Sequence, residues 1–266
     1  MFQPLYVAAT GLSALQDKIL TITNNLANAK TVAFKKARTE SESLFYVEKS
    51  FKDRLYEAMS GNDTPPVSVE YGTGVRIAST PSDFTQGSFE TTSNPLDIAI
   101  KGEGFLQFKM ADGSIAYGRA GNLHIDDAGN LVDPNGHMLE SPVVVPPGTT
   151  SIVIRTDGVV LVAVNNSSDY SEIGQINLVR FTNQTGLKNI GQNLYQAAPA
   201  SGEPMVGVPG QENFGTISQY SQEQSNVDVI SEMMEMVMTQ RVFDTVTKAV
   251  QSYDAMLDSL RNMRQS

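Results

Sequence analysis

The two ends of this 266-residue chain are written in one hydrophobic period and its middle in another, and that division limits what it can fold into. From Leu5, apolar residues fall at Leu12, Leu15, Ile19, Ile22 and Leu26. The three–four alternation predicts a helix to about residue 29 with one apolar stripe. Pro4 suits its first turn, where a missing N–H costs nothing. Near the other end, Val227, Ile230, Met234 and Val237 repeat the spacing, and a second register of Val242, Val246, Ala249, Tyr253, Met256, Leu260 and Met263 carries it to the C-terminus. The phase slip between Met234 and Val246 reads as a stutter. Ser225 and Asp228 offer a capping box to start this helix. Met233, Met234, Met236 and Met238 crowd one stretch of it, and methionine adapts its shape to more than one neighbour.

The middle, residues 72–224, alternates short β-prone runs with turn signals. Leu96–Ile100, Phe105–Phe108, Gln175–Phe181 and Thr216–Tyr220 are expected strands. Asp112-Gly113, Gly121-Asn122, Asp127–Asn130 and Asn135-Gly136 are expected turns. Ile152–Ile154 and Val159–Val164 flank Asp157-Gly158, a strong hairpin signal. No strand–helix alternation appears, which argues against a nucleotide-binding α/β fold. Between the first helix and this region, Thr39 and Glu42 suggest a cap. Leu44, Val47, Phe51, Leu55 and Met59 suggest a further helix, stopped by Pro65-Pro66. The expected fold is therefore mixed α and β. Residues 1–40 and 225–266 form a coiled-coil-like helical domain, 41–71 a partly helical connection, and 72–224 an all-β domain.

Composition removes whole classes of chemistry. There is no cysteine, so a disulfide framework, a thiolate metal site and a cysteine nucleophile are excluded. Two histidines, His124 and His137, are too few for a histidine zinc cluster. Gly102-Glu103-Gly104 lacks the third glycine of a dinucleotide loop, and Asp126–Asn130 lacks the ligand spacing of a calcium loop; both read as turns. No catalytic, cofactor or metal residues are expected. A net charge of −10 without a basic run argues against nucleic acid. No apolar run approaches the length that spans a bilayer, so no membrane insertion is expected. The N-terminus does not read as a secretory signal, so export by another route is expected. Residues 1–40 carry a net +3 and residues 201–266 a net −5, so the two ends of the chain are of opposite charge, which invites their pairing.

Three separated motifs resemble one family. Asn24-Asn25-Leu26-Ala27-Asn28 followed by Phe34-Lys35 is similar to the N-terminal signature of the axial proteins of the bacterial flagellar rod and hook, with Ala33 where a glycine is usual. Asn94–Ile100 including Asp97, then Gly102, Gly104 and Phe105, then Tyr117, Arg119 and Gly121, resembles the central motif. Ser225-Asn226-Val227 with Gln240 and Arg241 resembles the C-terminal one. The resemblance implies a structural, non-enzymatic subunit. Within the family, length and residues 174–195 suit the distal part of the rod. Such a subunit polymerises helically with itself into a rigid hollow drive shaft, its terminal helices lining the inner tube. Its implied neighbours are the proximal rod subunits, the hook protein and, where an outer membrane exists, the surrounding basal-body rings. It would leave the cytoplasm through the flagellar type III export apparatus and reside in the basal body. The implied assembly interface is Leu5, Leu12, Leu15, Ile19, Ile22 and Leu26 with Val227, Ile230, Met234, Val237, Val246, Tyr253 and Leu260. The alternatives are a proximal rod subunit of the same family, or a β-rich surface binding module with coiled-coil oligomerisation ends.

Overall fold

A computed structural model describes residues 3–49, 69–141, 143–165 and 169–263. Helix α1 (Gln3–Ala27) opens the chain and helix α2 (Val229–Met263) closes it, with short strands between them. The mixed architecture is the expected one, but the chain divides differently. One compact unit takes the chain up to Asn24, Ala37–Pro81 and everything from Ile230 onward. The other takes Asn25–Lys36 and Ser82–Val229. The segment after α1 thus belongs with the β-rich unit, and residues 72–81 belong with the helices.

In the helical unit, strands β1 (Glu40–Ser43), β2 (Tyr46–Lys49), β3 (Val69–Gly72) and β4 (Val75–Ser79) pair antiparallel, β1 with β4 and β2 with β3. The helix expected from Thr39 onward is therefore not formed over residues 40–49; the rest of that expectation, residues 50–68, lies outside the described residues. The competing signal is the β-prone run Phe45-Tyr46-Val47, whose pairing gives the backbone partners that a short isolated helix lacks. The expected cap is used elsewhere: Thr39 Oγ1 donates to Thr21 Oγ1 at 3.1 Å, and Glu42 pairs with Arg76. The turn between β3 and β4 sits on α1, since a Cβ on Gly74 would lie 2.1 Å from Thr10 Oγ1. Lys18 and Glu235 join α1 to α2 at 2.8 Å, a solvent-screened pair contributing little by itself.

Gly11 lies inside α1, where an added Cβ would meet nothing within 4 Å. Gly11→Ala is expected to stabilise the helical unit by about 0.5–1 kcal/mol through backbone entropy alone. Thermal melting followed by helical circular dichroism checks it; a lowered midpoint would mean the space is not free.

The β-rich unit begins with β5 (Phe89–Thr91), β6 (Ile98–Lys101), β7 (Leu106–Lys109), β8 (Ile115–Gly118), β9 (His124–Ile125), β10 (Leu131–Val132) and β11 (Met138–Leu139). It continues with β12 (Thr149–Ile154), β13 (Val159–Val164), β14 (Ser171–Gln175), β15 (Leu178–Arg180), β16 (Lys188–Gly191) and β17 (Leu194–Gln196), and ends with β18 (Met205–Gly207), β19 (Thr216–Gln219) and β20 (Ser221–Glu223). Its largest sheet runs β16-β17-β8-β7-β11-β10-β9, antiparallel throughout. The turn signals fall between these strands. Gly113 N–H donates to Met110 O, Gly129 N–H to Asp126 O and Gly136 N–H to Asp133 O, so Asp126–Asn130 is a hairpin turn.

The Asp157-Gly158 hairpin joins β12 to β13, and β14 completes that sheet. The expected strand Gln175–Phe181 is instead two. The chain changes sheets at Ile176-Asn177, because β14 pairs with β13 while β15 pairs with β18. A mainly aliphatic core of Ile98, Ile100, Leu106, Leu123, Val160, Ile176, Leu178 and Ile217, with Phe108, fills the unit. A second, aromatic cluster holds Phe105, Tyr117, Phe181 and Tyr195, with Phe84 packed against it.

Candidate assembly site

On α1 the expected stripe is the covered side of the helix. Ile22 is buried, and Leu5, Leu12, Leu15, Ile19 and Leu26 are half-buried, whereas Tyr6 and Leu20 on other faces are exposed. On α2 the outcome is different. Residues 225–228 are not helical, so Ser225 is not its cap, and Val227 precedes the helix instead of lying on it. The Ser225 hydroxyl accepts the Val227 N–H at 3.3 Å within this extended link.

The covered seam of α2 is Glu232, Met236, Thr239, Phe243, Val246, Val250, Tyr253 and Leu257, an unbroken four–three alternation with no stutter. Val246 and Tyr253 of the expected set lie on it. Ile230, Met234 and Val237 do not: they are 48–70% exposed, as are Met233, Met238 and Val242. At 100° per residue, Ile230, Met234, Val237 and Arg241 form a stripe on the side opposite the seam. The first four turns of α2 therefore carry two distinct faces, a mixed one of Glu232, Met236, Thr239 and Phe243 that is covered within the chain and an apolar one that is open. The apparent slip came from reading both faces as one. Leu260 lies within α2, but its side chain is outside the described residues.

The motif residues serve mostly to build the β-rich unit. Asn25 is buried, and Asn28 Oδ1 accepts the Thr31 hydroxyl at 3.2 Å in the turn after α1. Ala33 has φ +57°, a left-handed conformation that favours glycine, and its N–H donates to Glu223 O at 2.8 Å. Asp97 is buried and accepts Asn94 Nδ2 at 2.9 Å, closing the turn before β6. Asn24, Gln240 and Arg241 are exposed.

The N-terminal and central motifs converge on one buried charge cluster around a glutamate that lies just before the C-terminal motif. Glu223 Oε1 accepts Lys35 Nζ at 2.6 Å and Gly87 N–H at 3.0 Å, and Oε2 accepts Arg119 Nε at 2.9 Å. The remaining guanidinium donors cap the carbonyls of Gly104 at 3.0 Å, Gly102 at 2.9 Å and Ile100 at 3.3 Å. Gly102, at φ +111°, and Gly104, at φ +143°, give the backbone the conformation that turns those carbonyls inward. Lys35 Nζ also donates to Thr85 O at 2.7 Å. Asn226 ties the same segments: its Oδ1 accepts Lys36 N–H at 2.8 Å, its Nδ2 donates to Asp83 O at 2.8 Å, and its N–H donates to Phe34 O at 3.4 Å.

The side chains of Lys35 and Glu223 have no solvent exposure and that of Arg119 has 3%. Burial pushes the Glu223 carboxyl up, but the Arg119 and Lys35 charges, with hydrogen bonds from Lys35 and Gly87, outweigh it and hold it below the usual glutamate value. Burial pushes the Lys35 ammonium down; Glu223 opposes this only in part, and Arg119 adds to it, leaving lysine below its usual value. Tyr195, in the adjoining aromatic cluster, is pushed up to about 12 by burial. Sequence reading quoted Lys35 and Arg119 as motif members but missed Glu223, which no local pattern marks.

Comparison with known proteins finds matches in the same three parts of the chain as the motifs. Residues 5–35 match the family model for the flagella basal body rod protein, residues 99–162 that for the flagellar hook protein FlgE/F/G D1 domain, and residues 218–263 that for the flagellar basal body rod FlgEFG protein C-terminal region. Over 264 residues the chain is 37% identical to the flagellar basal-body rod protein FlgG of Buchnera aphidicola, covering 99% of this chain and 100% of that one. It is 36% identical to the protein of that name from Borreliella burgdorferi, over 99% of each, and 31% identical to that from Bacillus subtilis, over 99% and 100%. Motifs at both ends and in the middle, joined by end-to-end similarity, lead to one conclusion: this chain belongs to the flagellar basal-body rod protein family and is a structural component of the basal body.

Proposed function

We propose that the chain is the self-polymerising subunit of the distal rod, a hollow shaft carrying torque from the motor to the hook. Proximal rod subunits and the hook protein would bound it, the type III apparatus would export it, and any outer rings would surround it. Its role is structural and not catalytic. Lys35, Arg119 and Glu223, the strongest candidates for chemistry, use their hydrogen bonds on one another and on backbone, so none is left poised to react.

One observation carries the polymer reading: the open stripe of Ile230, Met234 and Val237, flanked by exposed Met233 and Met238, lies opposite a seam already covered within the chain. Apolar area of that kind on a helix is covered by association, and a second copy of the same helical unit supplies a matching surface. The stripe also separates assembly from folding. Ile22 is buried in the single chain, so Ile22→Asp would disturb the fold as well as assembly. Ile230→Asp and Met234→Asp change exposed positions. They are expected to leave monomer stability within about 0.5 kcal/mol while abolishing the distal shaft in basal bodies examined by electron microscopy. Full-length shafts and normal motility in both variants would overturn the polymer reading.

A further inference from the structure

The buried cluster has a property that stability alone does not explain. Lys35 enters a fully buried site, and its ammonium is held below the usual lysine value even with Glu223 at 2.6 Å. Folding therefore disfavours its charge. The sign follows from linkage: the unfolded chain binds this proton more tightly than the folded one. The cost is present at neutral pH and is relieved only as pH rises through the lowered lysine value. Replacing Lys35 by an apolar side chain of similar length would leave a neutral Glu223–Arg119 pair. It would leave no carbonyl orphaned, because Thr85 O also accepts Asn226 Nδ2 at 3.1 Å. A buried ion kept under such conditions is suited to specifying a geometry.

The geometry in question is the meeting of residues 33–36, which follow α1, with residues 223–226, which precede α2. Two backbone bonds join them, Ala33 N–H to Glu223 O and Asn226 N–H to Phe34 O. These two bonds join loop residues, one of them in the left-handed turn at Ala33, and by themselves they define the alignment only weakly. The selective ties are side chains: Lys35 to the Glu223 carboxylate, and Asn226 Oδ1 to the Lys36 N–H. Arg119 fixes Glu223 from a third segment by anchoring it to the carbonyls beside Gly102 and Gly104.

We propose that Lys35 is a positioning residue for assembly: with Glu223 and Arg119 it locks the alignment of 33–36 on 223–226, the two segments of the β-rich unit through which the chain runs from α1 and into α2. The lock joins residues from three distant parts of the sequence, so it closes only when the β-rich unit has folded around Arg119. This role in assembly rests on the polymer reading above, and the test keeps the two apart.

The test introduces Lys35→Met, and separately Lys35→Met with Glu223→Gln, into the gene and returns each to cells lacking it, alongside wild type and Lys35→Arg. The double variant keeps the buried charge at +1 and retains an acceptor for Arg119. Expected are an unchanged or raised melting temperature for purified Lys35→Met and exchange about tenfold faster at the amides of Ala33 and Lys36, with strand amides of β6 to β8 still protected. Basal bodies should lack the distal shaft in both Met variants and regain it at least in part with Lys35→Arg. A normal shaft in both Met variants would overturn the proposal. So would a collapse in melting temperature in both, which would make Lys35 an ordinary stabilising residue. Absence of a shaft with the wild-type gene would count against the polymer reading instead.

Discussion

Replacing Glu223 by alanine is expected to cost the β-rich unit about 3–5 kcal/mol, because it strands two cations in a site without solvent. The lysine and guanidinium each lose their anionic partner, and the Gly87 N–H loses its acceptor. Urea denaturation followed by tyrosine fluorescence, usable because the chain has no tryptophan, measures the loss. Adding Lys35→Met to this variant should restore part of it, since one stranded cation is removed; a further loss would mean the pair had not been coupled. The acid side of the stability profile gives a second check. Glu223 is held below the usual carboxylate value in the folded state. Its contribution is therefore present above the ordinary glutamate range and is lost as pH falls through the depressed folded value. The alanine variant should lack that acid-sensitive component. An identical acid dependence in the two proteins would place the titrating group elsewhere.

A comparable loss is expected from Phe105→Ala, about 3–5 kcal/mol for removing a fully buried ring from a packed core. Phe105 packs edge-on to Phe84 at 5.4 Å and Phe181 at 5.9 Å, and lies 6.4 Å from Tyr195. Its face also lies 5.9 Å from the Arg119 guanidinium, and its backbone bridges to Val179. One side chain thus joins the aromatic cluster to the charge cluster. Truncation should lower the urea midpoint and loosen both, with Tyr117 and Tyr195 fluorescence reporting the change. A loss below about 1 kcal/mol would mean that the neighbouring rings close the gap.

The α1 stripe was legible because every one of its positions is apolar and all lie on one face. The seam of α2 was not, because Glu232 and Thr239 occupy it at 8% and 4% exposure while Ile230, Met234 and Val237 sit on the opposite side. A pattern of apolar residues alone finds the more hydrophobic face, and here that face is the open one. Strands bounded by Asp-Gly and Asn-Gly turns were readable, since those turns impose their backbone locally. The strands of residues 40–49 were missed because Leu44 and Val47 satisfy helical spacing, and the strands they pair with lie beyond residue 68. The charge cluster is the extreme case: Lys35 and Glu223 are 188 residues apart, and Arg119 and Glu223 are 104 apart. Resemblance brought Lys35 and Arg119 to notice, but only the fold supplied their common partner.

The alanine at residue 33 was the one departure noted in the N-terminal signature, and its left-handed backbone explains why glycine suits that place. The neighbouring bonds hold the turn regardless, so its strain is local.

The open face of α2 also sets a chemical vulnerability. Met233, Met234 and Met238 are 53–70% exposed on the first turns, and Met256 and Met263 are 63–65% exposed further along. Thioethers in such positions are accessible to peroxide and hypohalous acids, and each sulfoxide formed replaces an apolar group by a strongly polar one. With no cysteine anywhere in the chain, no thiol of its own reacts first. These five methionines are more open to an oxidant than Met138 and Met205 of the β-rich unit, which are 41% and 39% exposed. If the open face of α2 is the one a second copy covers, as proposed above, subunits waiting to be added are the ones at risk, because a methionine packed against a neighbour is shielded.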